Sequence, residues 1–301
     1  MKKDVIIDAD PGIDDAIALC LATHSNKLNI KLITTVCGNV TIDKITKNTL
    51  NLLQAINVTD IPVAIGAEKP LKREKDNTIL AHGKSGLGDW KFPKCVLKTT
   101  KENAVEKMRE VLLNSDKKVV IIALGPLTNI AELLIKYPEV KEKIDYIMYS
   151  GGLLLDNQNS RYMSFNLMQD PEAGQYVWES GVNIRVCPSD HGHYGYLTKE
   201  EVLKTRRTNR TGFMLSEIFK SYKDTHVTVG IAMHDPCAIL SVSNPEIFRW
   251  EDMNVKVTYI KKLHNALLDF DVNSPANCKV ATCMDVKAFK KLYFKTLKKM
   301  P

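Results

Sequence analysis

No stretch of this 301-residue chain approaches the ~18 consecutive apolar residues of a membrane-spanning helix, so none is expected. Cys-x-x-Cys is absent. The seven cysteines (Cys20, Cys37, Cys95, Cys187, Cys237, Cys278 and Cys283) are odd in number and irregularly spaced. That pattern argues against a disulfide framework or a structural zinc site, and fits reduced thiols in a cytoplasm. A secretory signal is not expected either, because Asp4 and Asp8 interrupt the first apolar run. There is no Gly-rich phosphate loop and no Asp-x-Asp-Gly-Thr/Ser run, which disfavours a metal phosphohydrolase. Repeats, low-complexity tracts and linkers are lacking, so one domain over residues 1–301 is expected. Lys and Arg total 42 and Asp and Glu 35, a diffuse excess of +7. Its one local cluster, Lys287, Lys290, Lys291, Lys295, Lys298 and Lys299, reads as a solvated helix face rather than a nucleic-acid surface.

What is present is an alternation of apolar runs and amphipathic segments. Strands are predicted at Val5–Ile7, Lys31–Val36, Pro62–Ile65, Val119–Leu124, Ile144–Tyr149 and Val182–Val186. Three more follow, at Val255–Ile260, Ala266–Phe270 and Lys279–Cys283. Helical spacing covers Asp14–Ala22, Ile42–Ile56, Ala104–Leu112 and Thr128–Ile135, and a helix follows Asp285. Asp170-Pro171-Glu172 carries an N-cap signal, and Asp235-Pro236 repeats it; Thr198 and Glu201 have capping-box spacing. Alternating strands and helices predict an α/β fold with a mainly parallel sheet covered on both faces. Lys69–Pro93 and Asp156–Tyr162 are polar and aperiodic, as binding loops are.

The most informative run is Asp8-Ala9-Asp10-Pro11-Gly12-Ile13-Asp14-Asp15. Asp8 and Asp10 share one side of a strand end. Asp14 and Asp15 open the next helix, where its dipole favours anions. Four carboxylates converging at such an edge repel one another unless a cation relieves them. An oxygen-only donor set favours Ca²⁺ or Mg²⁺ over zinc. A metal there polarises water, and a further carboxylate can take that water's proton. The residues alone therefore reach metal-assisted hydrolysis of a small polar substrate.

Asp8-x-Asp10-x-Gly12-x-Asp14-Asp15 closely resembles the N-terminal signature of the inosine–uridine-type nucleoside hydrolases. Cys37-Gly38-Asn39, His82-Gly83-x-x-Gly86-Leu87-Gly88 and Leu124-Gly125-Pro126-Leu127-Thr128-Asn129 resemble further family segments in the expected order. So do Phe165-Asn166 with Asp170-Pro171-Glu172-Ala173, and His234-Asp235-Pro236-Cys237-Ala238. The resemblance spans nearly the whole chain. It implies an open Rossmann-like sheet, the nucleoside hydrolase fold, and Ca²⁺-dependent hydrolysis of the N-glycosidic bond of ribonucleosides in salvage. A homodimer or homotetramer is also implied, with no nucleic-acid or membrane partner.

Carried over residue by residue, the resemblance makes Asp10 both a Ca²⁺ ligand and the base that activates water. Asp15, the Leu124 carbonyl and Asp235 would be the other protein ligands, with Asp235 also touching ribose. Asp14, Asn39 and Asn166 would bind ribose hydroxyls or order the water. His234 matches the position proposed to protonate a departing purine, and an imidazole titrates close enough to neutrality for that task. His82, Tyr222 and His226 are candidate base or ribose contacts, while His191 and His193 read as supports behind the site residues or as structural.

The chain also departs from the pattern. Ser164 stands where the family carries a glutamate that binds the ribose end bearing the 5′-hydroxyl. Tyr149 and Ser150 replace a methionine and a glycine. These changes fall where sugar and base specificity are set, so Tyr149 and Ser164 join the candidate substrate contacts. A modified nucleoside such as queuosine, or a 5′-substituted one, is an alternative substrate. A non-catalytic nucleoside-binding protein is the alternative of another class, and the intact Asp10 argues against it.

Overall fold

The computed structural model describes residues 2–73, 82–88, 90–154, 164–222, 230–260 and 265–301. The strands are β1 (Lys3–Ala9), β2 (Leu28–Thr35), β3 (Val63–Ile65), β4 (Val119–Ala123), β5 (Ile144–Ser150), β6 (Ile184–Cys187), β7 (Leu197–Thr198), β8 (Gly230–Ile231), β9 (Phe248–Ile260), β10 (Asn265–Asp271) and β11 (Cys278–Met284). Nine of them form one sheet in the order β10-β9-β11-β6-β5-β4-β1-β2-β3, and β7 pairs with β8 separately. From β3 to β11 the neighbours are parallel. β9 runs antiparallel between β11 and β10.

The pleat sorts each strand's side chains onto two helix-covered faces. Val5, Ile7 and Ala9 of β1 pack on one side with Val120 and Ile122 of β4. Ile6 packs on the other with Val119, Ile121 and Ala123. The first face is covered by the helices Ile13–Thr23 and His234–Ser243, which pack against each other. The second carries Ala104–Leu113, Thr128–Lys136 and Pro171–Glu179. Burial on both sides is why these central strands read as unbroken apolar runs.

Most predicted elements stand within a residue or two of their expected bounds, and three differences have physical causes. β9 begins at Phe248, well before Val255. Arg249, Glu251 and Asp252 interrupt the apolar run, yet Phe248 is buried in the core on one face of the sheet and Met253 and Val255 in the core on the other. Asp235 is not a helix cap. The helix starts at His234 after Met233, and the Asp235 carboxylate turns to Ser150 instead of to the backbone. His191 and His193 belong to a short helix, Asp190–Tyr194. The other cap signals hold: Asp170 accepts from Ala173 N–H, Asp285 from Ala288 N–H, and Thr198 with Glu201 forms a reciprocal box.

Strand order fixes where a ligand can sit. From β1 the chain builds outward to β2 and β3, then returns to place β4, β5 and β6 on the other side. The order reverses between β1 and β4, and open parallel sheets bind ligands at that crevice, outside the carboxyl ends of the strands. Asp8 lies at the end of β1 and Asp10 just after it, Leu124 follows β4, Ser150 ends β5 and Ser189 follows β6.

Candidate active site

Among the described residues, one group of acids could share a cation. Carboxylate oxygens of Asp14, Asp15 and Asp235, all buried, lie within 4.8 Å of one another. Asp14 and Asp15 come from the first turn of Ile13–Thr23, and Asp235 from the first turn of His234–Ser243. The packing of these two helices brings together residues 220 positions apart in sequence.

Each acid has limited compensation. Asp15 Oδ2 accepts the Gly12 N–H at 3.0 Å, whereas its Oδ1 is buried with no hydrogen-bond partner. Burial, and then the charge of Asp14, pushes the Asp15 carboxyl up to about 7. Asp235 Oδ1 accepts the Ser150 hydroxyl at 2.8 Å. Burial, then Asp14 and Asp15, raise its carboxyl well above the usual range. His82 lies beside the cluster, its Nδ1 4.0 Å from Asp14 Oδ1. Three crowded carboxylates, one with an orphaned oxygen, fit a hard divalent cation better than they fit each other.

Asp10 borders this trio rather than belonging to it. Its Oδ2 accepts the Asn39 N–H at 2.7 Å, and its carbonyl accepts the Asn39 side-chain amide at 3.0 Å. Its charge still reaches Asp235. Gly38 makes this seat possible, because a Cβ there would overlap Asp10 Oδ2. Across the crevice, Asn166 Nδ2 donates to the Leu124 carbonyl at 2.6 Å and to the Ser150 carbonyl at 3.2 Å. The structure thus places Asp10, Asp14, Asp15, Asn39, Leu124, Asn166 and Asp235 around one crevice.

The surrounding wall is less uniform. His82 Nδ1 accepts the Ile13 N–H at 3.0 Å, at the mouth of the acid-bearing helix, and its ring lies 5.4 Å from that of Tyr222. His234 Nδ1 lies 3.0 Å from the Ser189 carbonyl. Tyr149 and Ser164 face each other, hydroxyl to hydroxyl at 2.6 Å, and both are buried. Burial holds the Tyr149 phenol far above its ordinary range. His226 lies outside the described residues, as does the whole of the predicted loop at residues 156–162.

Two groups of residues carry more than the sequence disclosed. Ser150 was visible only as a replacement for glycine, yet it binds Asp235 through its hydroxyl and Asn166 through its carbonyl. Asp8 turns away from the cluster: its Oδ1 accepts Thr34 Oγ1 at 2.6 Å and Asn129 Nδ2 at 2.8 Å. Asn129 also donates to the Thr35 carbonyl and accepts from Ala67 N–H, pinning β1, β2 and the helix after β4 at the switch point. The polar Asn129 closing an otherwise apolar motif was the available signal.

Comparison with known proteins decides the lineage. The family described as inosine-uridine preferring nucleoside hydrolase matches residues 5–291. The chain belongs to this family. It is 35% identical, over the full length of both chains, to a non-specific ribonucleoside hydrolase RihC of Escherichia coli. Among solved structures it resembles a plant nucleoside hydrolase, with a TM-score of 0.89, 27% identity and 99% of each chain covered. A purine-preferring ribonucleoside hydrolase from Gardnerella vaginalis gives 0.90 and 26%, covering 99% of this chain and 98% of that one. The chain is therefore an enzyme, a nucleoside hydrolase of the N-ribohydrolase type with a mostly parallel central sheet. No helix among the described residues is long and apolar enough to cross a membrane.

Proposed function

We propose that this nucleoside hydrolase is Ca²⁺-dependent, releases ribose and free base from ribonucleosides, and serves nucleoside salvage in the cytoplasm as a homo-oligomer. The observation that carries the metal assignment is the buried Asp14–Asp15–Asp235 cluster with its orphaned Asp15 oxygen, set beside Asp10 at the switch point. Asp10, Asp15, Asp235 and the Leu124 carbonyl are the groups that would hold the ion, with Asp14 beside them in the cluster. When bound, the cation supplies charge that makes a water easier to deprotonate and a fixed point for neighbouring sugar hydroxyls. The oxygen-only donor set supports Ca²⁺.

The chain's own residues divide the remaining work. Asp14, Asn39 and Asn166 bind the ribose hydroxyls. The field of the clustered carboxylates stabilises the sugar as it becomes oxocarbenium-like. As the C1′–N bond breaks, its electron pair leaves with the base, and His234 Nε2 gives that base a proton. Water adds its hydroxyl to C1′ and its proton goes to the Asp10 carboxylate. His82, Tyr222 and His226 would line the base side, and Tyr149 and Ser164 the sugar side.

A second reading, a modified or 5′-substituted nucleoside, is favoured by the neutral Tyr149–Ser164 hydroxyl pair, which presents no negative charge where the family carries glutamate. The test combines metal analysis of the purified protein with a panel of nucleosides that includes queuosine and a 5′-monophosphate. One Ca²⁺ per chain, with base release lost on chelation and restored by Ca²⁺, is the expected result. Full activity after exhaustive chelation would refute the metal assignment, and unmodified inosine or uridine as the best substrate would refute the second reading.

A further inference from the structure

Five consecutive residues, Ser189 to His193, form a seat for His234. The Ser189 carbonyl lies 3.0 Å from His234 Nδ1. A carbonyl only accepts, so Nδ1 carries hydrogen, and proton exchange with a ligand passes through Nε2 at the opposite corner of the ring. Gly192 lies directly against the imidazole: a Cβ there would collide with Nδ1 and stand 2.6 Å from the His234 backbone nitrogen. The Gly192 carbonyl also accepts from Met233 N–H at 3.2 Å, tying down the residue that precedes His234. His193 closes another side, its ring centroid 4.8 Å from that of His234 at an interplanar angle of 85°.

The seat is itself anchored on three sides. Ser189 N–H donates to the Gly152 carbonyl at 2.8 Å, and Asp190 Oδ2 accepts Leu154 N–H at 2.8 Å. His191 Nε2 lies 2.9 Å from the Ala281 carbonyl, beyond β6 in β11. A single hydrogen bond at Nδ1 fixes one atom but lets the ring swing about that point. An edge-to-face ring contact restricts the swing, and misplacing a reacting group by about 1 Å can cost on the order of 10²-fold in rate.

We propose that His193 is a positioning residue for the leaving-group step: its ring holds His234 so that Nε2 meets the departing base. The inference rests on the reading of His234 as the acid for that base. His193 acts through His234, so its removal should affect only substrates whose base must be protonated.

The test compares His193→Ala, His193→Phe, His234→Ala and the double His193→Ala/His234→Ala on inosine and on p-nitrophenyl riboside, whose leaving group departs as an anion. His193→Ala should lower kcat for inosine by roughly 10–100-fold, a part of the effect of a general acid, with KM within about twofold. On p-nitrophenyl riboside the change should stay below about threefold. His193→Phe keeps a ring in place and should recover most of the kcat for inosine. The double variant should be no slower than His234→Ala. Equal losses on both substrates, a His193→Phe as slow as His193→Ala, or an additional loss in the double variant would each overturn the proposal. If His234→Ala separates the two substrates and His193→Ala does not, the positioning role alone fails. If His234→Ala slows both alike, the acid assignment fails.

Discussion

Asp8 offers the clearest physical test of how the switch point is built. It has no exposed surface, and burial pushes its carboxyl up to about 7 from an ordinary 3.8, against the lowering effect of its Thr34 and Asn129 hydrogen bonds. An acid raised in this way keeps its proton in the folded chain while the unfolded chain releases one. Its contribution therefore destabilises the fold increasingly as pH rises from about 3.8 to about 7, and stays constant above. Each pH unit in that window is worth ~1.4 kcal/mol, so the full cost approaches ~4 kcal/mol. That is a large share of the 5–15 kcal/mol or so by which a domain is stable. Asp8→Asn retains an acceptor for Thr34 and Asn129 and cannot ionise. Its amide replaces Oδ2, which has no partner, at a cost of ~1–3 kcal/mol. The variant should therefore gain ~1–3 kcal/mol on wild type at pH 8 and be no better, or slightly worse, at pH 5, where most of the ionisation cost has vanished. Urea unfolding of both proteins in EDTA at the two pH values measures this, and the other buried acids cancel in the difference. The same stability difference at pH 5 and pH 8 would refute the reasoning.

Ser150→Ala removes the hydroxyl that binds Asp235. Calcium titration should show affinity weakened roughly tenfold, in keeping with ~1.5 kcal/mol for a hydrogen bond to a charged group, and unchanged affinity would show that Ser150 does not orient Asp235. Ser164→Glu alone should bring no gain on inosine, because the Tyr149 hydroxyl stands 2.6 Å from Ser164 Oγ and leaves no room for a longer side chain. The double Tyr149→Met/Ser164→Glu should raise kcat/KM for inosine by roughly 10–100-fold, the value of a charge-assisted hydrogen bond of ~1.5–3 kcal/mol. A single Ser164→Glu that matches the double would contradict the steric coupling.

Much of the fold was legible because its central strands are buried on both faces and read as apolar runs, Val119–Ala123 most plainly. β9 was only half legible, since an edge-ward antiparallel strand alternates and its outward Arg249 and Glu251 mask the period. The acidic turn was legible because four carboxylates in eight residues are electrostatically unreasonable without a partner. Its division of labour was not. Sequence cannot show that the turn after β1 directs Asp8 to Thr34 and Asn129, seats Asp10 on Asn39, and leaves Asp14 and Asp15 to meet Asp235. The Asp-Pro at 235 misled for a related reason. It imitates a helix cap, but the helix Ile13–Thr23 packed alongside brings two more carboxylates, and a shared cation is a stronger reason for an acid at that point than a backbone N–H.

The specificity wall shows why single departures are hard to interpret in isolation. Read alone, Ser164 is a loss, a charged acceptor exchanged for a short hydroxyl. Tyr149, fifteen residues earlier, is a gain of volume at the end of β5. The structure joins them: the phenol reaches the hydroxyl, and its ring is braced edge-on by Trp178 at 5.3 Å. Burial without charge is affordable here because the two hydroxyls satisfy each other. A carboxylate at the same place would sit among Asp10 and Asp235, whose charges already reach Tyr149, and would need a strong donor to remain ionised. The pair is thus one neutral, space-filling unit in place of one charged residue. If the pair lines the sugar pocket as proposed, its two members have to be exchanged together for the preference to change.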